Sequence, residues 1–234
     1  MSKYCPDCGR TVVFYVERGF GQNFDMAHCL NCTWRNSASS ALSEPLLRTP
    51  APKMKYVSID IETTGLDPDT CQVLEFGAVL EDWQRPVAQL PTFRRVIHHK
   101  QIVGTPFALA LNAGLLRQME TASLVRCAPE SLGREFHVWL LQHDVDPNRV
   151  QAAGKNFASF DLQFLKKVPF FNESVKFNHR IIDPGNLFWR PFEDEGLPGS
   201  AICMERAGID GKVAHTAVED AIAVVKMIRY AVSQ

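Results

Sequence analysis

No stretch of this chain is apolar for long enough to cross a bilayer, and nothing ahead of Cys5 resembles a secretory signal, so a cytoplasmic protein with no membrane partner is expected. An excess of basic charge is equally absent. Lys and Arg number 25 against 26 Asp and Glu, and the net charge of −1 argues against a strongly basic, non-specific duplex binder. There is no internal repeat and no long low-complexity tract, which excludes solenoids and extended arrays. Paired histidine ligands are missing too: His98 and His99 are adjacent on a strand pattern, while His137, His143 and His179 lack ligand spacing. Of the seven cysteines, Cys71, Cys127 and Cys203 are isolated and read as reduced thiols.

The other four cysteines form two C-x-x-C knuckles, Cys5 with Cys8 and Cys29 with Cys32, separated by twenty residues. That spacing reads as a four-cysteine zinc ribbon over residues 1–36, with Thr11–Val16 as a strand and Gly19-Phe-Gly21 as a turn. Four thiolates leave no open coordination position, so the Zn2+ is expected to be structural, and a unit this small has too little core without such a staple. A pair of disulfides is the competing reading, but nothing suggests export. Phe20, Phe24 and Trp34, with Arg10, Arg18 and Arg35, offer either a nucleic-acid surface or simply the ribbon's core. Residues 37–53, rich in Ser, Ala and Pro, read as a linker.

The remaining residues, 54–234, suit one α/β domain with a sizeable core. Strand patterns at Tyr56–Ile61, Val73–Leu80 and Thr92–Ile97 follow one another closely and predict an antiparallel start. Helical patterns come later, at Phe107–Met119, Leu132–His143, Leu162–Val168 and Ala217–Val232, with strands near Val150 and Ile181.

Asp60 and Glu62 stand at alternate positions of the first strand, so both carboxylates lie on one face. Two acids beside a buried sheet repel, and binding cations between them relieves this. A surface strand with an acidic polar face is the plainer alternative. Far downstream, Asp161 falls in the first turn of a helix, with Ser159 as a plausible N-cap. His215 and Asp220 open the last helix, whose buried face is predicted at Ala217, Ala221, Val224, Val225 and Ile228. A separation of five would place His215 and Asp220 about 140° apart on one helix. His215 is therefore expected on the loop just before it.

These three segments resemble the DEDDh family of 3′-5′ exonucleases: a D-x-E strand, a later Asp after an Asn-containing loop, and H-x-A-x-x-D. The resemblance runs from about Lys55 to the C-terminus and takes in Leu74–Val79 and Asp183-Pro184. It implies a ribonuclease H-like fold, a mixed five-stranded sheet flanked by helices, here preceded by the zinc ribbon. It also implies a catalytic set of Asp60, Glu62, Asp161, His215 and Asp220. The four carboxylates would hold two Mg2+ ions, with Mn2+ a substitute, and His215 would act as general base. Thr63, Thr64, Gly65 and Leu66 would meet the terminal nucleotide, with Asn156 and Phe160 also on the substrate side. A strand-ending turn and core packing of Phe160 are the plainer readings of those residues.

The resemblance therefore implies hydrolysis of phosphodiester bonds at 3′ ends of single-stranded DNA or RNA, releasing nucleoside 5′-monophosphates. The ribbon would offer contact with a replication, repair or RNA-processing partner. Asn156 and Phe160 have three residues between them, a spacing similar to that of oligoribonucleases, which degrade short RNA. Lys155 stands where His is common in the family and offers either a phosphate contact or a solvated lysine. An inactive nucleic-acid-binding adaptor is the alternative from another class, opposed by the complete acidic set.

Overall fold

The computed structural model describes residues 12–19, 22–29, 35–37, 54–119, 124–209 and 216–234. The chain divides into two compact units, Met1–Lys53 and Met54–Gln234. In the first, β1 (Val12–Gly19) pairs antiparallel with β2 (Gln22–Cys29), and β3 (Arg35–Ser37) adds to β2. The strand expected at Thr11–Val16 is therefore present, running Val12–Gly19. Cys29 ends β2 and is buried, whereas Cys5, Cys8 and Cys32 lie outside the described residues.

The second unit is built on five strands. These are β4 (Val57–Thr63), β5 (Val73–Leu80), β6 (Thr92–Ile97), β7 (Arg126–Cys127) and β8 (Ala152–Ala153), in the order β7-β6-β5-β4-β8. The central three run antiparallel, as their short connections predicted, and β7 and β8 join the edges parallel. Val150 and Ile182 contribute only isolated bridges to Phe177 and Ala153, so the strands expected near Val150 and Ile181 are shorter than their apolar runs.

Period-two alternation divides the sheet into two unlike faces. Ile59 and Ile61 of β4, Phe76 and Ala78 of β5 and Phe93 of β6 pack against Phe136 and Leu140 of α3 (Pro129–Gln142) and Phe171 of α5 (Phe171–Ser174). Phe76 sits at the middle of this layer, its ring centroid 4.8 Å from Phe136, 5.8 Å from Phe93 and 6.0 Å from Phe171. The opposite face receives α8 (Ala217–Ser233), with α6 (Pro184–Phe188) and α7 (Ser200–Arg206) beside it. The predicted apolar stripe of α8 is buried at Ala217, Ala221, Val224, Val225 and Ile228.

Buried Glu81 ties α8 to the far end of β5, where Arg229 Nε donates to its Oε2 at 2.9 Å. The predicted Phe107–Met119 helix is two, α1 (Pro106–Leu111) and α2 (Ala113–Gln118), broken at Asn112. Asn112 leaves the helical path and turns its side-chain amide onto Thr63 O at 3.1 Å. Among the described residues no helix is long and apolar enough to cross a membrane.

Candidate active site

Three of the five predicted catalytic residues meet on the α8-facing side of the sheet. Asp60 and Glu62 project from β4, Asp220 from the first turn of α8, and one carboxylate oxygen of each lies within 4.8 Å of the others. Beside them opens a cleft of about 160 Å³ lined by Asp60, Asp220, Lys155, Asn156, Ser200 and Met204. Asp161 opens α4 (Asp161–Leu165), only 3% exposed, and lies outside that triplet. Its Oδ1 accepts the Ile61 N–H at 3.1 Å, so it reaches β4 between the two strand acids.

Ser159 does not cap this helix. Its hydroxyl donates to Asn156 O at 3.1 Å, and Phe160 occupies the N-cap position without a capping side chain. The turn wound around Asn156, at φ 59°, sets where α4 begins and so moves the cap one residue later. His215 lies outside the described residues. Thr216 is the N-cap of α8, its hydroxyl accepting the Glu219 N–H at 3.4 Å, so the helix opens two positions after His215.

Burial and mutual repulsion leave Asp60, Glu62 and Asp161 reluctant to ionise. Burial pushes the Asp60 carboxyl well above the usual range, and the nearby charges of Asp161, Asp220, Glu62 and Glu75 push it further. Glu62 is raised to about 7, first by burial, then by Asp220 and Glu75, with a hydrogen bond from Asn112 working the other way. Burial likewise carries Asp161 to about 7, against its backbone hydrogen bonds, with Glu62 and Asp183 adding to the rise. A crowded donor set of carboxylate oxygens fits hard divalent cations such as Mg2+ or Mn2+.

The loop after β4 is held by its own hydroxyls. Thr63 Oγ1 donates to Gly65 O at 2.7 Å, and Thr64 Oγ1 donates to Val103 O at 2.6 Å while accepting the Gln72 N–H at 2.8 Å. A Cβ at Gly65 would meet the Cys71 thiol and the Thr105 methyl, so a larger residue here would make those side chains move. Leu66, by contrast, is 83% exposed at the tip. Asn156 gives its backbone N–H to Asp183 Oδ2 at 2.9 Å, and its side-chain oxygen accepts from Lys155 Nζ at 2.7 Å. Lys155 is no solvated loop lysine: its side chain is 10% exposed, 3.6 Å from Asp183 and on the cleft wall. Phe160 is half-buried against the core, its ring 5.1 Å from Phe164.

Glu75 and Asn112 join the site without a motif that marks them. Glu75 is the one charged residue in a β5 strand whose every position is buried, a signal visible in the sequence. Asn112 carries no such signal, because its proximity to Glu62 and Thr63 exists only once α1 and α2 fold back.

No family model matches the chain, and no curated protein does. Solved structures do. Exonuclease I from Methylocaldum szegediense is similar at 17% identity with a TM-score of 0.52, over 75% of this chain and 40% of that one. The zinc-bound E. coli Exonuclease I complex with single-stranded DNA is similar at 15% identity with a TM-score of 0.56, over 78% of this chain and 41% of that one. A further E. coli Exonuclease I structure, holding a dT13 oligonucleotide, is similar at 17% identity with a TM-score of 0.53, over 76% and 40%. The chain thus spans about two-fifths of the length of these neighbours, and the likeness is one of fold.

Proposed function

We propose that this chain is a two-metal-dependent 3′-5′ exonuclease that hydrolyses phosphodiester bonds at the 3′ ends of single-stranded nucleic acid and releases nucleoside 5′-monophosphates. The observation that carries this reading is the convergence of Asp60, Glu62 and Asp220 within 4.8 Å of one another, with buried Asp161 bonded to the strand between the first two. The fold shared with Exonuclease I supports it, and the single-stranded DNA held by the E. coli protein supports the substrate class.

Two divalent ions bound here would activate a water and stabilise the leaving 3′ oxygen. Asp60, Glu62 and Asp220 would hold these ions, with Asp161 helping to hold them. His215 would take the proton from the nucleophile, since an imidazole titrating near pH 6.5 suits a base at neutral pH. Leu66, exposed at the loop tip, would wedge against the terminal base, with Thr63, Thr64 and Gly65 meeting the terminal nucleotide beside it. Lys155, held on the cleft wall by Asp183 and Asn156, would offer a cation to the phosphate, with Asn156 and Phe160 completing the substrate side.

Residues 54–234 would form the exonuclease domain, residues 1–36 a four-cysteine zinc ribbon and residues 37–53 the linker. The ribbon would supply a contact to nucleic acid or to a replication, repair or RNA-processing partner. The spacing between Asn156 and Phe160 favours short RNA as a second substrate reading, as in oligoribonucleases. Degradation of 3′- and 5′-labelled single-stranded DNA and RNA with Mg2+ or Mn2+ tests both. Metal-dependent release from the 3′ end, lost in Asp60→Asn, is expected. No cleavage of any substrate by folded, metal-loaded protein would leave a nucleic-acid-binding adaptor.

A further inference from the structure

The acids of β4 have two neighbours on β5 that belong to no ligand set. The register of the central pair places Gly77 opposite Asp60 and Glu75 opposite Glu62. Both β5 residues face α8, and the helix begins against them. A Cβ at Gly77 would fall into the Ala217–Val218 peptide, with the Ala217 carbonyl oxygen 2.6 Å away. The helix backbone therefore lies on the sheet at this point with no side chain between.

Glu75 is wholly buried. Its Oε2 accepts the Ala217 N–H at 2.9 Å and its Oε1 is paired with Arg94 Nε. The N–H groups of a helix's first turn have no partner within the helix. The Thr216 hydroxyl serves the Glu219 N–H, and Glu75 serves that of Ala217 from within the sheet. One residue's carboxylate thus satisfies a helix end and a guanidinium together, with the helix dipole favouring its charge. One turn along, Ser58 of β4 donates to Ala221 O at 2.8 Å, continuing the seam. Asp220 stands three residues after Ala217, on the same helical face and about 4.5 Å along the axis.

We infer that Glu75 and Gly77 are positioning residues for the metal site: the close approach at Gly77 sets the height of α8 above the sheet, and the reach of Glu75 to Ala217 N–H fixes where Asp220 meets Asp60 and Glu62. The inference rests on reading those three acids as cation ligands. A different role for Glu75, as one more negative charge attracting the cation, makes the opposite prediction in a pair of variants. Glu75→Gln keeps the length and a carbonyl acceptor but loses the charge. Glu75→Asp keeps the charge but withdraws the oxygen from Ala217.

The experiment is titration of the full chain with Mn2+, free ion being read by electron paramagnetic resonance, with circular dichroism to confirm folding. Glu75→Asp should weaken Mn2+ binding about tenfold, the lower end for losing an outer-shell partner, and Glu75→Gln less than about threefold. In an Asp220→Asn background the Glu75→Asp change should cost nothing further, because the ligand it positions is already lost. Gly77→Ala, which lifts the helix instead of untying it, should weaken binding by a factor similar to Glu75→Asp. Wild-type affinity in Glu75→Asp or Gly77→Ala, weaker binding in Gln than in Asp, or losses that multiply with Asp220→Asn would overturn the positioning role alone. Wild-type protein that binds no Mn2+ would overturn the metal-site reading and this inference with it.

Discussion

The backbone N–H of Ile61 donates to Oδ1 of Asp161 across 3.1 Å, so a residue a hundred positions downstream is bonded to the strand midway between Asp60 and Glu62. Asp161 therefore serves two ends: its acceptor oxygen satisfies a buried donor, and its charge adds to the acidic cluster. The two are separable by substitution.

Asp161→Asn retains an oxygen for Ile61 N–H and should unfold in urea close to wild type, while the proposed nuclease activity falls about a hundredfold, the scale for losing one preorganised electrostatic group. Asp161→Ala should lose activity and also about 1–3 kcal/mol of stability, because a buried N–H is left without a partner. Equal urea midpoints for the two variants would contradict the structural half of this account.

Without metal, Glu62 should make the protein less stable as pH rises. Its carboxyl titrates near 7 in the folded chain against an ordinary value of 4.5. Between those values the native state holds a proton that the unfolded state has released, so stability falls with rising pH through that window. Glu62→Gln, neutral throughout, should match wild type in melting temperature near pH 4 and exceed it increasingly toward pH 8, in a chelator. A pH-independent difference would argue against a raised Glu62 carboxyl.

His215→Ala should keep Mn2+ affinity near wild type while turnover drops about 10²–10⁴-fold, the usual range for a lost general base. Titration showing no metal binding would assign His215 to the ligand set instead.

Phe76 is the ring on which Phe93, Phe136 and Phe171 converge, with none of its surface exposed. Phe76→Ala should cost about 3–5 kcal/mol through lost burial and the cavity left behind. Urea denaturation measures it, and a loss under about 1 kcal/mol would mean that the layer collapses around the gap.

Elemental analysis should find one zinc per chain in protein purified without chelator, as four thiolates at Cys5, Cys8, Cys29 and Cys32 imply. Cys8→Ser should release it. A zinc content far below one would remove the ribbon.

Local geometry made part of this molecule readable from the chain. A strand repeats every two residues, so Asp60 and Glu62 had to share a face once Val57–Thr63 was extended, and a helix repeats every 3.6, so the buried stripe of α8 followed from Ala217, Ala221, Val224 and Ile228. Short connections likewise announced the antiparallel centre of the sheet. α5, α6 and α7 leave no readable pattern in the chain, because four to seven residues carry too few turns for a period to emerge. Asn112 ending α1 and Asp161 bonding to Ile61 were equally hidden, since both depend on contacts made far along the chain. The distance from Asp220 to the β4 acids was settled by packing: Gly77 lets the helix backbone onto the sheet and Glu75 holds its first N–H there. Periodicity is a property of neighbouring residues, whereas that distance is set by how closely two separate elements can approach.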